Sequence, residues 1–243
     1  MKEMNHRFRF SDTNPAVVLA VKTQQNADSN GPGFIWFGGF RSDMMGKKAE
    51  SMVAHAAQLS CTTVRFDYSG HGQSSGNIVD GTISSWIAQA LSVFRKFTRG
   101  PQVVLGSSMG AWIALRVAQE LERIRESERL SGMLLIAPAS DFTQYLMKPR
   151  LINDSNDSHV MRQLFFDDGD KNLVMDDELV VNAPIHILQG MKDSEVPYSH
   201  TMRLFSCLSQ DNVTLTLIKD GDHRLSTDEN IKLLKRTMTE FLR

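Results

Sequence analysis

The chain has 243 residues, 41% of them hydrophobic and 23% charged, which is enough apolar material for a core beneath an ordinary globular surface. A net charge of −1, from 27 basic and 28 acidic residues, argues against nucleic acid or an anionic membrane surface as a partner. Two cysteines far apart, Cys61 and Cys207, suit neither a disulfide framework nor a zinc site, so no metal is expected and a reducing compartment fits.

Lys2, Glu3, Arg7 and Arg9 place charge where a secretory leader would be apolar, and no run approaches the ~18 apolar residues that span a bilayer; a cytoplasmic protein is expected. Further along, short β-branched or aromatic runs alternate with longer stretches of helical period. That is the pattern of crossover units on a mainly parallel sheet, an α/β fold with flanking helices. The first expected strand is 17–21, followed by a polar Gly/Pro turn at 26–33 and a buried strand at 34–37. A helix is expected over about 44–59 and a strand at 63–66, ending on Asp67. The spacing of Ile83, Ile87, Ala90, Leu91 and Phe94 marks an amphipathic helix over 81–98. Residues 103–105 read as a strand closed by Gly106, 111–121 as a helix, and 133–137 as a strand stopped by Pro138.

Residues 140–182 break this alternation: they hold no strong strand and are rich in Asp, Asn and Met. A structureless loop of ~40 residues is uncommon inside a compact domain. A small, partly helical cap over the sheet's carboxyl edge is therefore expected, inserted into a single domain spanning 1–243. Strands at 185–188 and 213–218, a helix at 198–208 and a last amphipathic helix over 228–242 complete the chain.

The chemistry concentrates at Gly106-Ser107-Ser108-Met109-Gly110. A strand runs directly into this G-x-S-x-G pattern and a helix follows, the setting in which a serine is projected from a tight turn. The spacing selects Ser108 as nucleophile over Ser107, and the Met109 N–H, at the new helix's start, faces the position where negative charge develops. A serine hydroxyl needs a base, and the base an orienting acid, in the chain order Ser, acid, His. His223, in Asp220-Gly221-Asp222-His223-Arg224 after the final strand, and Asp193, in Gln189-Gly190-Met191-Lys192-Asp193, each follow a different strand, so one crevice can collect all three. Gly38-Gly39-Phe40 follows the strand 34–37 and leaves the backbone open to a substrate, which makes the Phe40 N–H the second expected oxyanion donor.

The remaining candidates have plainer readings. His55 and His186 read as packed positions on a helix and a strand, and His6, His159 and His200 have no motif around them. His71 suits a turn or a substrate contact equally. Asp222 reads as shaping its own loop, and Asp167, Asp168 and Asp170 lie in the expected cap. Neither G-x-G-x-x-G nor G-x-x-x-x-G-K-[ST] occurs, so no nucleotide or flavin cofactor is expected.

Four separated segments, Phe37-Gly38-Gly39-Phe40, Asp67-Tyr68-Ser69-Gly70-His71-Gly72, Gly106 to Gly110, and Gly190-Met191-Lys192-Asp193 with Asp222-His223-Arg224, together resemble the α/β-hydrolase superfamily across nearly the whole chain. Within it, the Phe-Asp-Tyr-Ser-Gly, Gly-Ser-Ser and Gly-Met-Lys-Asp wording is most similar to the branch of animal mitochondrial palmitoyl-protein thioesterases and mycophenolic acid acyl-glucuronide esterases. The resemblance implies hydrolysis of an acyl ester or acyl thioester, on a small-molecule or acylated substrate, with Ser108, Asp193 and His223 as the triad. A serine peptidase or carbon–carbon bond hydrolase would use the same residues, and a non-catalytic binding module on this scaffold is the reading from a different class.

Overall fold

In the computed structural model, which describes every residue but 1, 13–15, 26–30, 148–158, 211 and 243, the short apolar runs pair into one eight-stranded sheet. Its strands are β1 (Lys2–Phe10), β2 (Val17–Gln25), β3 (Gly33–Phe37), β4 (Thr63–Phe66), β5 (Gln102–Ser107), β6 (Leu130–Ile136), β7 (Ile185–Gly190) and β8 (Val213–Ile218). They lie in the order 1-2-4-3-5-6-7-8. β2 runs antiparallel to both its neighbours, and every pair from β4 to β8 is parallel.

Alternation along the strands decides which helices cover which face. Phe34 and Trp36, Val103 and Leu105, Leu134 and Ile136 point to one face, where they pack with Ala49 and Met52 of α1 (Lys47–Gln58) and Leu234 and Met238 of the C-terminal helix (Asp228–Glu240). Ile35 and Phe37, Val104, Met133 and Leu135 point to the other face, against α2 (Ile83–Phe97) and α3 (Met109–Arg123). Two further helices, α4 (His159–Asp170) and α5 (Tyr198–Cys207), precede the C-terminal helix, which is α6. Helix α2 starts on a capping box: the Thr82 hydroxyl accepts from Ser85 N–H, and the Ser85 hydroxyl accepts from Thr82 N–H.

Three differences from the sequence reading have physical causes. Strand β1 is additional: Met4, His6, Phe8 and Phe10 face inward while Asn5, Arg7 and Arg9 face solvent, a charged edge strand whose period of two is hidden by its cations. Helix α1 begins at Lys47 rather than near 44, because the Met44 N–H is taken by the Asp67 carboxylate at 2.7 Å. Helix α3 begins two residues early, at Met109, because the Ser108 carbonyl already accepts from the Ala111 N–H and starts the turn straight off the strand. Most of the turn expected at 26–33 lies outside the described residues. Within 140–182, the described residues hold a turn of π-helix at Thr143–Met147 and helix α4, with one isolated bridge from Leu179 to Leu208.

Candidate active site

Ser108 joins β5 to α3 with φ 54° and ψ −119°, outside the regions L-residues prefer. Such a conformation costs about 1–3 kcal/mol and persists only where the surroundings over-determine it. Here they do. The Ser108 N–H donates to the Ile136 carbonyl on β6 at 2.9 Å, and its carbonyl accepts from Ala111 and Ala139. The following turn presses on the end of β3: a methyl group on Gly110 would lie 2.1 Å from the Phe37 carbonyl oxygen. Only glycine fits, and the closeness of α3 to β3 is what aims the serine hydroxyl off the sheet's edge.

The loops after β7 and β8 are brought together by a second close approach. A methyl on Gly190 would lie 2.3 Å from the Gly221 carbonyl oxygen, to which the Lys192 N–H donates at 2.9 Å. This contact sets Asp193 beside His223. The His223 Nδ1–H donates to Asp193 Oδ2 at 2.8 Å, leaving Nε2 to accept from the Ser108 hydroxyl at 3.0 Å. Asp193 Oδ1 accepts from the Glu195 and Val196 amides, and Gln189 Nε2 donates to Oδ2 at 3.2 Å. Burial pushes the Asp193 carboxyl up, but the hydrogen bonds from His223 and the two amides outweigh it and hold the group below the usual carboxylate range. The carboxylate is therefore charged, buried and fixed in orientation.

A cavity of about 600 Å³ opens over Ser108. Gly39 and Phe40 run past the serine, a methyl on Gly39 falling 3.3 Å from Ser108 Cβ. Met109 opens α3, where backbone N–H groups have no acceptor within the helix. The walls combine apolar Phe142, Leu146, Met147 and Val196 with polar Trp36, Ser42, Lys48 and Arg224. Trp36 is 4% exposed, and its Nε1–H has no partner among the described residues.

All five sequence-derived positions, Ser108, Asp193, His223, Phe40 and Met109, thus lie at the sheet's carboxyl edge, and the first three form one hydrogen-bonded chain. Ser107 is buried on β5 beside Ile136. Asp222 accepts from Leu225 N–H within its own loop, and Asp168 from Ser84 N–H at the start of α2. His55 pairs with Thr239, His6 with Thr23, His186 with Thr216 and His200 with the Ser140 carbonyl; the His159 side chain lies outside the described residues. His71 is buried with Nδ1 on the Ser69 carbonyl and its ring edge-on to Trp86, 5.2 Å between centroids, and it does not line the cavity over Ser108. Lys48 and Trp36 escaped the sequence reading. A signal existed for the lysine: Lys47-Lys48 puts two cations on the first turn of a helix, the end that disfavours them. Among the described residues, no group of three or more His, Cys, Asp or Glu is placed to hold a metal ion, and no helix is long and apolar enough to cross a membrane.

Comparison with known proteins agrees with this architecture. The alpha/beta hydrolase family model matches residues 31–202. The mitochondrial palmitoyl-protein thioesterase ABHD10 of mouse is 30% identical, covering 87% of this chain and 75% of its own; the human protein is 28% identical, covering 87% and 73%. A crystal structure from Agrobacterium vitis S4, provisionally assigned as a hydrolase, superimposes with a TM-score of 0.91 at 38% identity over the full length of both chains. The mouse ABHD10 structure gives a TM-score of 0.84 at 26% identity, covering 98% of this chain and 97% of that one.

Proposed function

The chain belongs to the alpha/beta hydrolase family, and we propose that it cleaves a carboxylic ester or acyl thioester through a Ser108–His223–Asp193 triad and an acyl-enzyme intermediate. The observation that carries the reading is the unbroken chain of hydrogen bonds from a buried Asp193 carboxylate through His223 to Ser108. His223 Nε2 removes the hydroxyl proton as Oγ attacks the acyl carbonyl, and the Phe40 and Met109 N–H groups receive the oxyanion. The imidazolium then passes its proton to the departing alkoxide or thiolate. Water, deprotonated by the same nitrogen, attacks the acyl-enzyme and releases the carboxylic acid. Asp193 keeps Nδ1 protonated throughout and stabilises the imidazolium.

An acylated substrate is supported by the apolar wall of Phe142, Leu146 and Met147, which offers an acyl chain somewhere to leave water. In this reading residues 140–182 act as the cap that shapes the acyl site, and the thioesterase relatives favour a thioester. We also propose a cytoplasmic location, which the free Cys61 and Cys207 suit and which fractionation of the tagged protein checks.

The decisive test compares wild type with Ser108→Ala on p-nitrophenyl esters and acyl thioesters of graded length. Turnover should fall by roughly 10⁴-fold or more, and labelling by a fluorophosphonate should vanish. A variant that is still labelled would remove Ser108 from the mechanism.

A further inference from the structure

The two halves of the loop that carries His223 are held in different ways. Before the histidine, backbone pairing of Gly221 with Lys192 ties the loop to the acid's loop. After it, the chain turns through Leu225 at φ 45°, and the Arg224 carbonyl, one residue past His223, accepts from the Ser226 hydroxyl and from Lys48 Nζ of α1. Of these two donors only Lys48 comes from another element. The neighbouring Lys47 ties the same two parts of the fold together through Asp228 at the start of α6.

We propose that Lys48 is a positioning residue of the reaction: its ammonium, hydrogen-bonded to the Arg224 carbonyl, clamps the base loop so that His223 stays in line with Ser108 and Asp193. The inference rests on the hydrolase reading above.

Lys48 is held where a cation is costly. It stands on the first turn of α1, at the positive end of the helix dipole, and is half-buried in the wall of the Ser108 cavity. Burial draws its pKa down to about 8, against the attraction of Asp222 and Asp193, with Arg224 lowering it further. His223, Lys47, Asp43 and Glu195 are the other charged or titratable groups of that cavity wall. Burial thus disfavours the ammonium at this position relative to water. A charge kept at such a cost beside a catalytic base points to a task, and a charge-assisted hydrogen bond to a loop carbonyl supplies one.

The sign of the linkage separates this task from a structural one. The folded-state pKa lies below the ordinary lysine value, so between about pH 8 and about pH 10.4 the unfolded chain binds more protons and stability rises with pH. Over the same window the folded protein loses the ammonium, the clamp weakens and turnover falls. Stability and activity therefore move in opposite directions.

The test measures kcat and KM from pH 6 to 10 for wild type, Lys48→Met and Lys48→Arg on one p-nitrophenyl ester, with melting temperatures alongside. Lys48→Met should lower kcat about tenfold at pH 7, keep KM within about twofold, lose the fall above about pH 8 and melt no lower than wild type. Lys48→Arg, charged throughout, should restore kcat and extend the plateau past about pH 9. Three results would overturn the clamp: wild-type kcat in Lys48→Met, a rise in KM alone, or an alkaline fall retained in Lys48→Arg. If the wild type shows no Ser108-dependent turnover, the hydrolase reading itself fails. The clamp is then decided by the low-field proton resonance of His223 Nδ1–H, which should be sharp in wild type and broadened in Lys48→Met; equal line shapes would refute it.

Discussion

The loops at the sheet's carboxyl edge and the segment 140–182 both border the cavity over Ser108, yet they are built on different principles. The edge loops are held backbone against backbone, with Gly110 against the Phe37 carbonyl and Gly190 against the Gly221 carbonyl. The described residues of the segment are held mainly through side chains, the Leu179–Leu208 backbone bridge at its far end aside. Phe142 packs edge-on against Trp112 at 5.5 Å, Trp112 Nε1–H donates to the Asn172 carbonyl, and Asn172 reaches Ser84. Backbone contact admits no substitution and fixes the position of a reacting atom. Side-chain contact can be rebuilt with other residues, which suits a wall that selects substrates.

The same substitution placed in each region is the most severe test of that contrast. In Gly110→Ala the new methyl meets the Phe37 carbonyl oxygen at 2.1 Å and, within the helix, has no route of escape. A loss of about 3 kcal/mol or more is expected in urea unfolding. In Gly169→Ala, on α4, the obstacle is the buried Thr143 side chain, with Oγ1 at 2.3 Å, Cβ at 2.9 Å and Cγ2 at 3.0 Å, and the gain in helix propensity offsets part of the cost of displacing it. A loss of about 1–2 kcal/mol is expected, smaller than that of Gly110→Ala because a side chain can shift where a carbonyl cannot. Equal losses in the two variants would erase the distinction.

The contrast also explains what could be read from the sequence. Steric demands at the edge are written as glycines at fixed offsets from chemical residues, so Gly38-Gly39, Gly106, Gly110 and Gly190 announced the site together with Ser108, Asp193 and His223. Apolar runs gave seven of the eight strands. Strand β1 was illegible because Arg7 and Arg9 occupy its solvent face and mask the inward Phe8 and Phe10. The wiring of 140–182 was illegible because its partners, such as Asp168 with Ser84, are far apart in the chain and leave no periodic trace. Lys48 was missed for a related reason: its bond to the Arg224 carbonyl joins residues 176 apart.

Two buried carboxylates sharpen the comparison further. Asp193 at the edge is held charged, whereas Asp141, at the root of the segment, is pushed the other way. It accepts from the Val174 and Met175 amides at 2.8–3.0 Å, but full burial and the nearby Asp176 raise its pKa to about 6. The folded state then binds more protons than the unfolded chain between about pH 4 and about pH 6. Its contribution to stability is complete below about pH 4 and is lost as pH rises through about 6, a change of about 2–3 kcal/mol. Urea unfolding of wild type and Asp141→Asn from pH 4 to 7 isolates this term: the difference between them should change with pH in that window and be constant above it. A difference that does not vary with pH would show that Asp141 is charged throughout.

The smallest expected effect is the one that bears most directly on substrate choice. Leu146 and Met147 line the cavity from the π-helical turn and make no hydrogen bond to the triad. Shortening Leu146 to Ala enlarges the acyl site by roughly three carbons' worth of wall while leaving Ser108, His223 and Asp193 where they are. A hydrophobic pocket discriminates by about 1–3 kcal/mol per methylene at most. The expected outcome in Leu146→Ala is a shift of roughly tenfold in relative kcat/KM toward longer acyl chains, with kcat on the best substrate nearly unchanged. Kinetics across a series of p-nitrophenyl esters reads the shift directly. A uniform fall in kcat on every chain length would mean instead that the segment helps to position the triad, and that the two regions are not separable.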